Sequence, residues 1–188
     1  MKFTALLLFL ACFPLSASAA GEEAPFLPRT VGEMEFIETK DFEAEEKTRG
    51  MGRSYRYEGD RLLRADIFIY DKRKKDLKDG ISSPDATAEI QGVPHVLGKM
   101  QELGNYKDVK ELENGKKSYA GVQFLWCRHS YEHVVEDESK NPGVRVSDTF
   151  IRIRNGKFLK VRITTLQVDL EKDQKKIDAM MMEIARKG

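Results

Sequence analysis

The sequence predicts an α+β protein: an antiparallel β-sheet of about five to seven strands, built from hairpins and flanked by a mid-chain helix and a C-terminal helix. Three observations carry this. Apolar and polar side chains alternate with period two in several short runs separated by Gly- and Asn-containing turns. Two other stretches, one opening at Ser83 and one at Asp169, repeat their apolar positions every three or four residues, the period of a helix face. The strands fall in pairs close enough in sequence to be hairpins, which an antiparallel sheet allows and a parallel one does not.

Residues 1–20 carry Lys2, the uncharged run Ala5 to Leu15 and the small residues Ser16 to Ala20, the order of a secretory signal peptide. That run spans 11 residues, against roughly 18 or more for a bilayer-crossing segment, and no second such run follows. No transmembrane segment is therefore expected after signal removal. Cleavage after Ala19 or Ala20 fits equally, and Cys12 leaves with the signal. Leu10 and Phe9 stand where a lipoprotein signal would want a small residue and a Leu, so lipidation of Cys12 is not expected. The expected location is periplasmic or secreted.

About 168 of the 188 residues then remain, the size of one domain. The expected organisation is signal peptide 1–20, flexible lead-in 21–28 and a single α+β domain 29–188. The domain holds one cysteine, Cys127, so no internal disulfide is available. The chain has 32 Lys and Arg against 31 Asp and Glu, and losing Lys2 leaves 31 of each sign. Bulk charge selects no partner, and nucleic-acid binding, which shows as a basic excess, is not expected.

In chain order, Gly21 to Pro28 is rich in Glu, Pro and Ala without periodicity. Met34 and Phe36 alternate with Glu33, Glu35 and Glu38 and give a first strand. Gly50-Met51-Gly52 punctuates; Arg53 to Tyr57 is a strand, Glu58-Gly59-Asp60 a turn, and Leu62 to Asp71 the partner strand. In that partner Leu63, Ala65, Ile67 and Ile69 share one face while Phe68 and Tyr70 occupy the other, so it belongs in mid-sheet. Ser83 is a helix N-cap with Pro84 at the first helical position and Asp85 facing the positive end. Ala86, Ile90, Val93, Leu97, Met100 and Leu103 form one helix face, Gly104 closes it, and Gly92 with Pro94 predicts a kink or a two-part helix. Asn114-Gly115 reads as a hairpin turn. Val122, Phe124 and Trp126 lie on one face of the next strand and Leu125, Cys127 and Tyr131 on the other. Glu136 to Gly143 is a solvated loop. The last helix, capped by Asp169, turns Leu170, Ile177, Met180, Met181 and Ile184 inward and ends on Arg186 and Lys187 at its negative pole.

Residues 144–167 form the hairpin around which these elements are arranged. A two-residue turn at Asn155-Gly156 would mix apolar and cationic side chains on both faces. A three-residue loop, Arg154-Asn155-Gly156 with Gly156 as a bulge, shifts the register by one. Ile151, Ile153, Leu159, Val161 and Ile163 then share a core face, and Phe150, Arg152, Phe158, Lys160 and Arg162 share the other. The shifted register is expected because it sorts the faces.

The signal peptide, the stretch Gly50-Met51-Gly52-Arg53-Ser54-Tyr55-Arg56-Tyr57, the strand Ala65-Asp66-Ile67-Phe68-Ile69-Tyr70-Asp71 and the turn Leu77-Lys78-Asp79-Gly80 resemble secreted bacterial proteins of uncharacterised function. The element order resembles the PsbP-like α/β/α sandwich. That resemblance implies a non-enzymatic accessory or assembly factor of a membrane complex, and it carries over no functional residue.

The sequence holds no catalytic or cofactor motif, and no cofactor is expected. Cys127, His129, Tyr131 and His133 alternate along one strand, but at about 3.3 Å per residue His129 and His133 stand roughly 13 Å apart, too far to share a metal ion. Cys127 reads as a buried thiol, and its use as a nucleophile in a small hydrolase or thiol-dependent enzyme is the competing reading. His95 reads as a surface or boundary residue, Gly50-Met51-Gly52 as turn punctuation, and Met180-Met181-Met182 as core packing, with an adaptable Met surface for partners as the competing reading. Lys72-Arg73-Lys74-Lys75, bracketed by Asp71, Asp76 and Asp79, reads as a solvated loop. The expected binding residues are Phe150, Arg152, Phe158, Lys160 and Arg162, which combine charge with flat apolar area, and the expected partner is an acidic protein or an anionic envelope component. Long cationic stems covering sheet surface, or a helix lying over it, account for the same residues. The expected role is that of a non-enzymatic accessory or binding protein of the bacterial cell envelope.

Overall fold

Alternating runs of β-branched and aromatic residues pair into one antiparallel sheet in the computed structural model, which describes residues 27–136 and 141–187. The strands are β1 (Thr30–Val31), β2 (Met34–Asp41), β3 (Arg53–Glu58), β4 (Arg64–Tyr70), β5 (Tyr106–Tyr119), β6 (Val122–His133), β7 (Arg145–Arg154) and β8 (Lys157–Leu166). Helix α1 (Pro84–Glu102) lies between β4 and β5, and α2 (Leu170–Lys187) ends the chain. The sheet order is β1-β2-β3-β4-β8-β7-β6-β5. After β4 the chain crosses through α1 to the far edge and returns as a meander, so that β8 docks beside β4 and closes the sheet in its middle. The expected class holds, with eight strands because Thr30–Val31 adds a two-residue edge. The signal peptide and most of the lead-in lie outside the described residues, as do residues 137–140 of the expected loop. Leu27, placed in the lead-in from sequence, is buried in the core, and the Pro28 carbonyl accepts from the Tyr57 hydroxyl at 3.1 Å.

The final hairpin corrects the expected register. β7 and β8 turn through Asn155 and Gly156 alone, both left-handed at φ 50° and 67°, as a type I′ turn requires. Arg154 pairs with Lys157, Ile153 with Phe158, Ile151 with Lys160 and Phe150 with Val161. The physical reason is that both faces are partly covered. Phe150, Leu159, Val161 and Ile163 pack in the cluster that includes Ile177, Met180, Met181 and Ile184 of α2, while Ile151, Ile153 and Phe158 pack with residues of α1 and its approach loop. With apolar cover on both sides, nothing forces the apolar residues onto one face; the cations among them are tolerated because carboxylates on β4 and α1 meet them.

Asn114-Gly115 is likewise not a turn. β5 runs straight through it, pairing Asn114 with Cys127 and Gly115 with Trp126, and the chain reverses at Ala120-Gly121, φ 47° and 78°. That placement packs Tyr119 edge-on to Phe124 at 6.3 Å and Phe150 at 5.9 Å. β5 is the long sheet edge; its many charges and two register irregularities blunt it against pairing with another chain.

α1 begins as expected, Ser83 Oγ accepting from the Ala86 amide at 3.1 Å, and ends with Gly104 left-handed at φ 74°. It is one continuous helix through Gly92 and Pro94, so the two-part alternative is not realised. Pro94 is exposed, on the side where water can meet the carbonyl it frees. Leu103, expected inward, is 52% exposed. α2 buries Ile177, Met180, Met181 and Ile184 as expected, and Met182 packs at the margin of the same cluster. Among the described residues, no helix is long and apolar enough to cross a membrane.

Candidate functional site: a charged floor beside helix α1

Strand parity places Arg64, Asp66, Phe68 and Tyr70 of β4 opposite Thr164, Arg162, Lys160 and Phe158 of β8, all on the face that carries α1. α1 packs across β5, β6 and β7, leaving a charged strip over β2, β3 and β4 beside it. At the centre of the strip is Asp66, the one acid of β4, set between Ala65 and Ile67. Its carboxylate accepts from Arg64 Nε and Nη2, both at 2.9 Å, from Arg162 Nη2 at 3.0 Å and from Arg56 Nε at 3.3 Å. Arg56 also pairs with Glu38 at 2.7 Å. Burial opposes the charge on Asp66, but the Arg162 and Arg64 guanidiniums outweigh it and hold the carboxyl below its usual range.

A second carboxylate comes from α1. Glu89 accepts from the Tyr70 hydroxyl at 2.6 Å and from Lys72 Nζ, with Lys160 Nζ at 3.6 Å. Burial again works against ionisation and is outweighed, here by Lys160, Lys72 and Tyr70, so Glu89 stays ionised below its usual range. Burial, and then Glu89, pushes the Tyr70 phenol well up. Burial pulls Lys160 down against the pull of Glu89. Neither carboxyl is protonated near neutral pH, so neither is a general acid there; they clamp cations.

The five expected binding residues are divided, which corrects the single cationic face. Phe158, Lys160 and Arg162 lie on the α1 face: Phe158 stacks on Tyr70 at 5.2 Å, and Lys160 and Arg162 meet Glu89 and Asp66. Phe150 and Arg152 lie on the α2 face. Phe150 is fully buried, and the Arg152 guanidinium stands 5.6 Å from the Phe124 ring centroid. Sequence reading missed Arg56, Arg64, Asp66 and Glu89. The available signal was Asp66, an acid inside Arg-Ala-Asp-Ile-Phe-Ile-Tyr, where burial demands a cationic partner.

At the upper end of the same face Tyr106 stacks on Tyr131 at 4.4 Å, and the His133 ring lies 4.8 Å from Tyr106 and 5.7 Å from Tyr131. Arg145 pairs across the ladder with Leu166 and with Tyr131. Nε of Arg145 and Nε of Arg162 are buried without a hydrogen-bond partner among the described residues. Burial, then Arg145, Arg162 and Arg64, lowers His133 to about 4.

The nucleophile readings meet unfavourable geometry. Cys127 is 3% exposed and burial pushes its thiol up to about 12, leaving on the order of one thiolate in 10⁵ at pH 7. Ser147, His129 and Glu111 stand side by side on β7, β6 and β5. His129 is 2% exposed, Glu111 stays 3.6 Å away, and neither ring nitrogen has a hydrogen-bond partner, so no relay is assembled. Among the described residues no group of three or more His, Cys, Asp or Glu is placed to hold a metal ion. His95 is exposed, and the Lys72 and Lys74 side chains are tied to Glu89 and Asp85 of α1.

Fold and site together define an α+β protein with one helix on each face of a single antiparallel sheet and a clamped, partly open charged strip. No family model matches the sequence, and no curated protein sequence matches it. Among solved structures the chain is similar to cyanobacterial PsbP from Synechocystis sp. PCC 6803, with a TM-score of 0.44 and 11% identity over 87% of this chain and 96% of that one. It is also similar to PA94 from Pseudomonas aeruginosa, a protein of unknown function, with a TM-score of 0.36 and 13% identity over 80% of this chain and 95% of that one. The resemblance to the PsbP-like fold is thus a weak likeness of architecture alone.

Proposed function

We propose that this chain is a secreted or periplasmic, non-enzymatic accessory or binding protein of the bacterial cell envelope. It meets an acidic protein or an anionic envelope component through the strip of sheet that α1 leaves open. The single observation that carries the reading is the convergence of Arg56, Arg64 and Arg162 on one buried carboxylate, with Arg56 and Arg64 each about a third exposed. Guanidiniums clamped in fixed forks are pre-organised for an anionic partner, since little side-chain entropy is left to lose on binding. The signal-like residues 1–20 support the location, and the buried high-pKa Cys127 weighs against the thiol-enzyme alternative.

The test is a crosslinked pull-down from the native envelope with the mature parent and two double variants. Arg64→Gln with Arg145→Gln removes charge from the open face while Arg162 and Arg56 still pair Asp66. Lys117→Gln with Arg152→Gln removes the same charge from the opposite face. Recovery of the crosslinked species should fall at least about tenfold with the first pair only. Equal recovery with all three proteins would reject the strip as the contact surface.

A further inference from the structure

We propose that Arg64, Arg145 and Arg162, at the Tyr106–Tyr131–His133 end of the sheet, form a binding site for a phosphate group. The proposal rests on the reading of this face as a binding surface and names the chemistry it takes. Arg64 and Arg162 are held side by side by Asp66, on neighbouring strands, and Arg145 projects on the same face from the next strand. The two tyrosine rings and His133 stand beside them. All three guanidiniums oppose a positive charge on His133 and favour a negative one on Tyr106, in keeping with their placement on this face.

Charge counting selects the ligand. Three cations face one carboxylate, Asp66, a local excess of two. Of the neighbouring charges, Arg56 is paired with Glu38 at 2.7 Å and Lys107 with Glu132 at 3.6 Å. Glu58, opposite Arg64 on β3, and Glu35, opposite Glu58 on β2, lie on the same face on the far side of Arg64, both exposed to water and in no ion pair with it among the described residues. A phosphomonoester carries about −1.5 to −2 at neutral pH and cancels the excess, whereas one carboxylate would cancel half. Nε of Arg145 and Nε of Arg162 are buried without acceptors, as is Nε of Arg152 on the opposite face, and a ligand meets such a donor only when its side chain turns outward. Phosphate oxygens suit the planar donor edges of arginine. The phosphate arrives either on a soluble molecule or on a lipid headgroup.

The experiment titrates the full mature protein with inorganic phosphate at pH 7 and constant ionic strength, following the His133 ring resonances by NMR. A saturable shift is expected, with the His133 pKa rising from about 4 when phosphate is bound, because a nearby anion favours the imidazolium. Arg145→Gln, which breaks no ion pair among the described residues, should fold and weaken phosphate binding at least about tenfold. Arg152→Gln, on the opposite face, should leave it unchanged. Vesicles of phosphatidylcholine with and without phosphatidic acid separate the sources. Binding to the phosphatidic acid vesicles that Arg145→Gln loses assigns a lipid headgroup, and phosphate binding without vesicle binding assigns a soluble phosphate. No saturable response, an equal response to chloride, or undiminished binding by Arg145→Gln would overturn the site. If phosphate binds as described while the pull-down ignores the Arg64→Gln, Arg145→Gln pair, the site stands and the envelope-partner reading falls. If the pull-down responds and phosphate does not bind, the reading stands and the phosphate site falls.

Discussion

Two aspartates on opposite faces of the sheet show how burial and partnership decide what a charged side chain does. Asp148, 1% exposed on the α2 face, accepts from Trp126 Nε1 at 2.7 Å and from Arg128 Nε and Nη2 at 2.9 and 2.8 Å. Lys117 Nζ sits 3.8 Å from the centroid of the Trp126 ring on the same face. Asp148 is closed in and its donors are spent on holding two strands together. Asp66 makes similar bonds, but its arginines keep part of their surface in water and can reach a partner. His133 reports on that difference. Burial and three guanidiniums hold it near 4, below the 6.5 of an unfolded histidine. Between these values the unfolded chain binds the proton and the folded one does not, so stability from His133 is complete above pH 6.5 and is lost as pH falls through about 4. That contribution is at most ~3 kcal/mol, and buried His129, whose pKa is also lowered, acts in the same direction. An NMR titration in the absence of phosphate should place His133 near 4, with urea midpoints falling over the same range; titration at the free-histidine value would contradict the crowding of arginines around it.

At the scale of the element, the β7–β8 hairpin is set from both ends of its ladder. Asn155 and Gly156 take the left-handed conformations of a two-residue turn, and Asp79 accepts from both their amides at 3.0 and 3.1 Å. The approach loop to α1 thereby holds the turn, and Gly80 bridges to Ile153 just below it. A Cβ at Gly156 would meet nothing within 4 Å, so only backbone strain at φ 67° penalises a side chain there. Gly156→Ala should therefore cost about 1 kcal/mol, seen as a lower urea midpoint with an unchanged slope. An unchanged midpoint would argue against a left-handed backbone at residue 156. α1 follows the same logic of partnership. Its Glu89 reaches the sheet through Tyr70 and Lys160, so the helix contributes charge as well as the apolar Val93 and Leu97.

For the whole molecule, the crossover through α1 is what places β8 beside β4. Only that adjacency sets Arg162 opposite Asp66 and Lys160 opposite Phe68, residues about 90 positions apart along the chain. The return of the meander leaves one short edge and one long charged edge, so neither end of the sheet offers an apolar strand for further pairing. The proposed envelope location makes a prediction at the same scale. Intact mass of the protein recovered from its native source should correspond to a chain beginning at Ala20 or Gly21; a retained Met1 or a lipid-modified Cys12 would contradict secretion by this signal.

The class of the fold was legible in the residues alone, because period-two and period-3.6 patterns are local and survive without knowledge of neighbours. Local pattern also located the α1 cap at Ser83, the two-sided strands β4 and β6, and the inward face of α2, each from residues within one element. Cys127 was legible as buried for the same reason: it alternates with apolar residues in a strand covered on both faces. The tertiary structure alone decided the hairpin register. Sorting apolar from cationic side chains is the right criterion for a sheet with one wet face, and this sheet has a helix against each. It alone decided which of two Asn-Gly pairs is a turn, since β5 is held straight by its ladder to β6. The candidate site was legible only in part, as Phe158, Lys160 and Arg162. Its centre, Asp66 and Glu89, draws partners from β3, β4, β8 and the loop before α1, and a carboxylate becomes a clamp only when distant cations are folded against it.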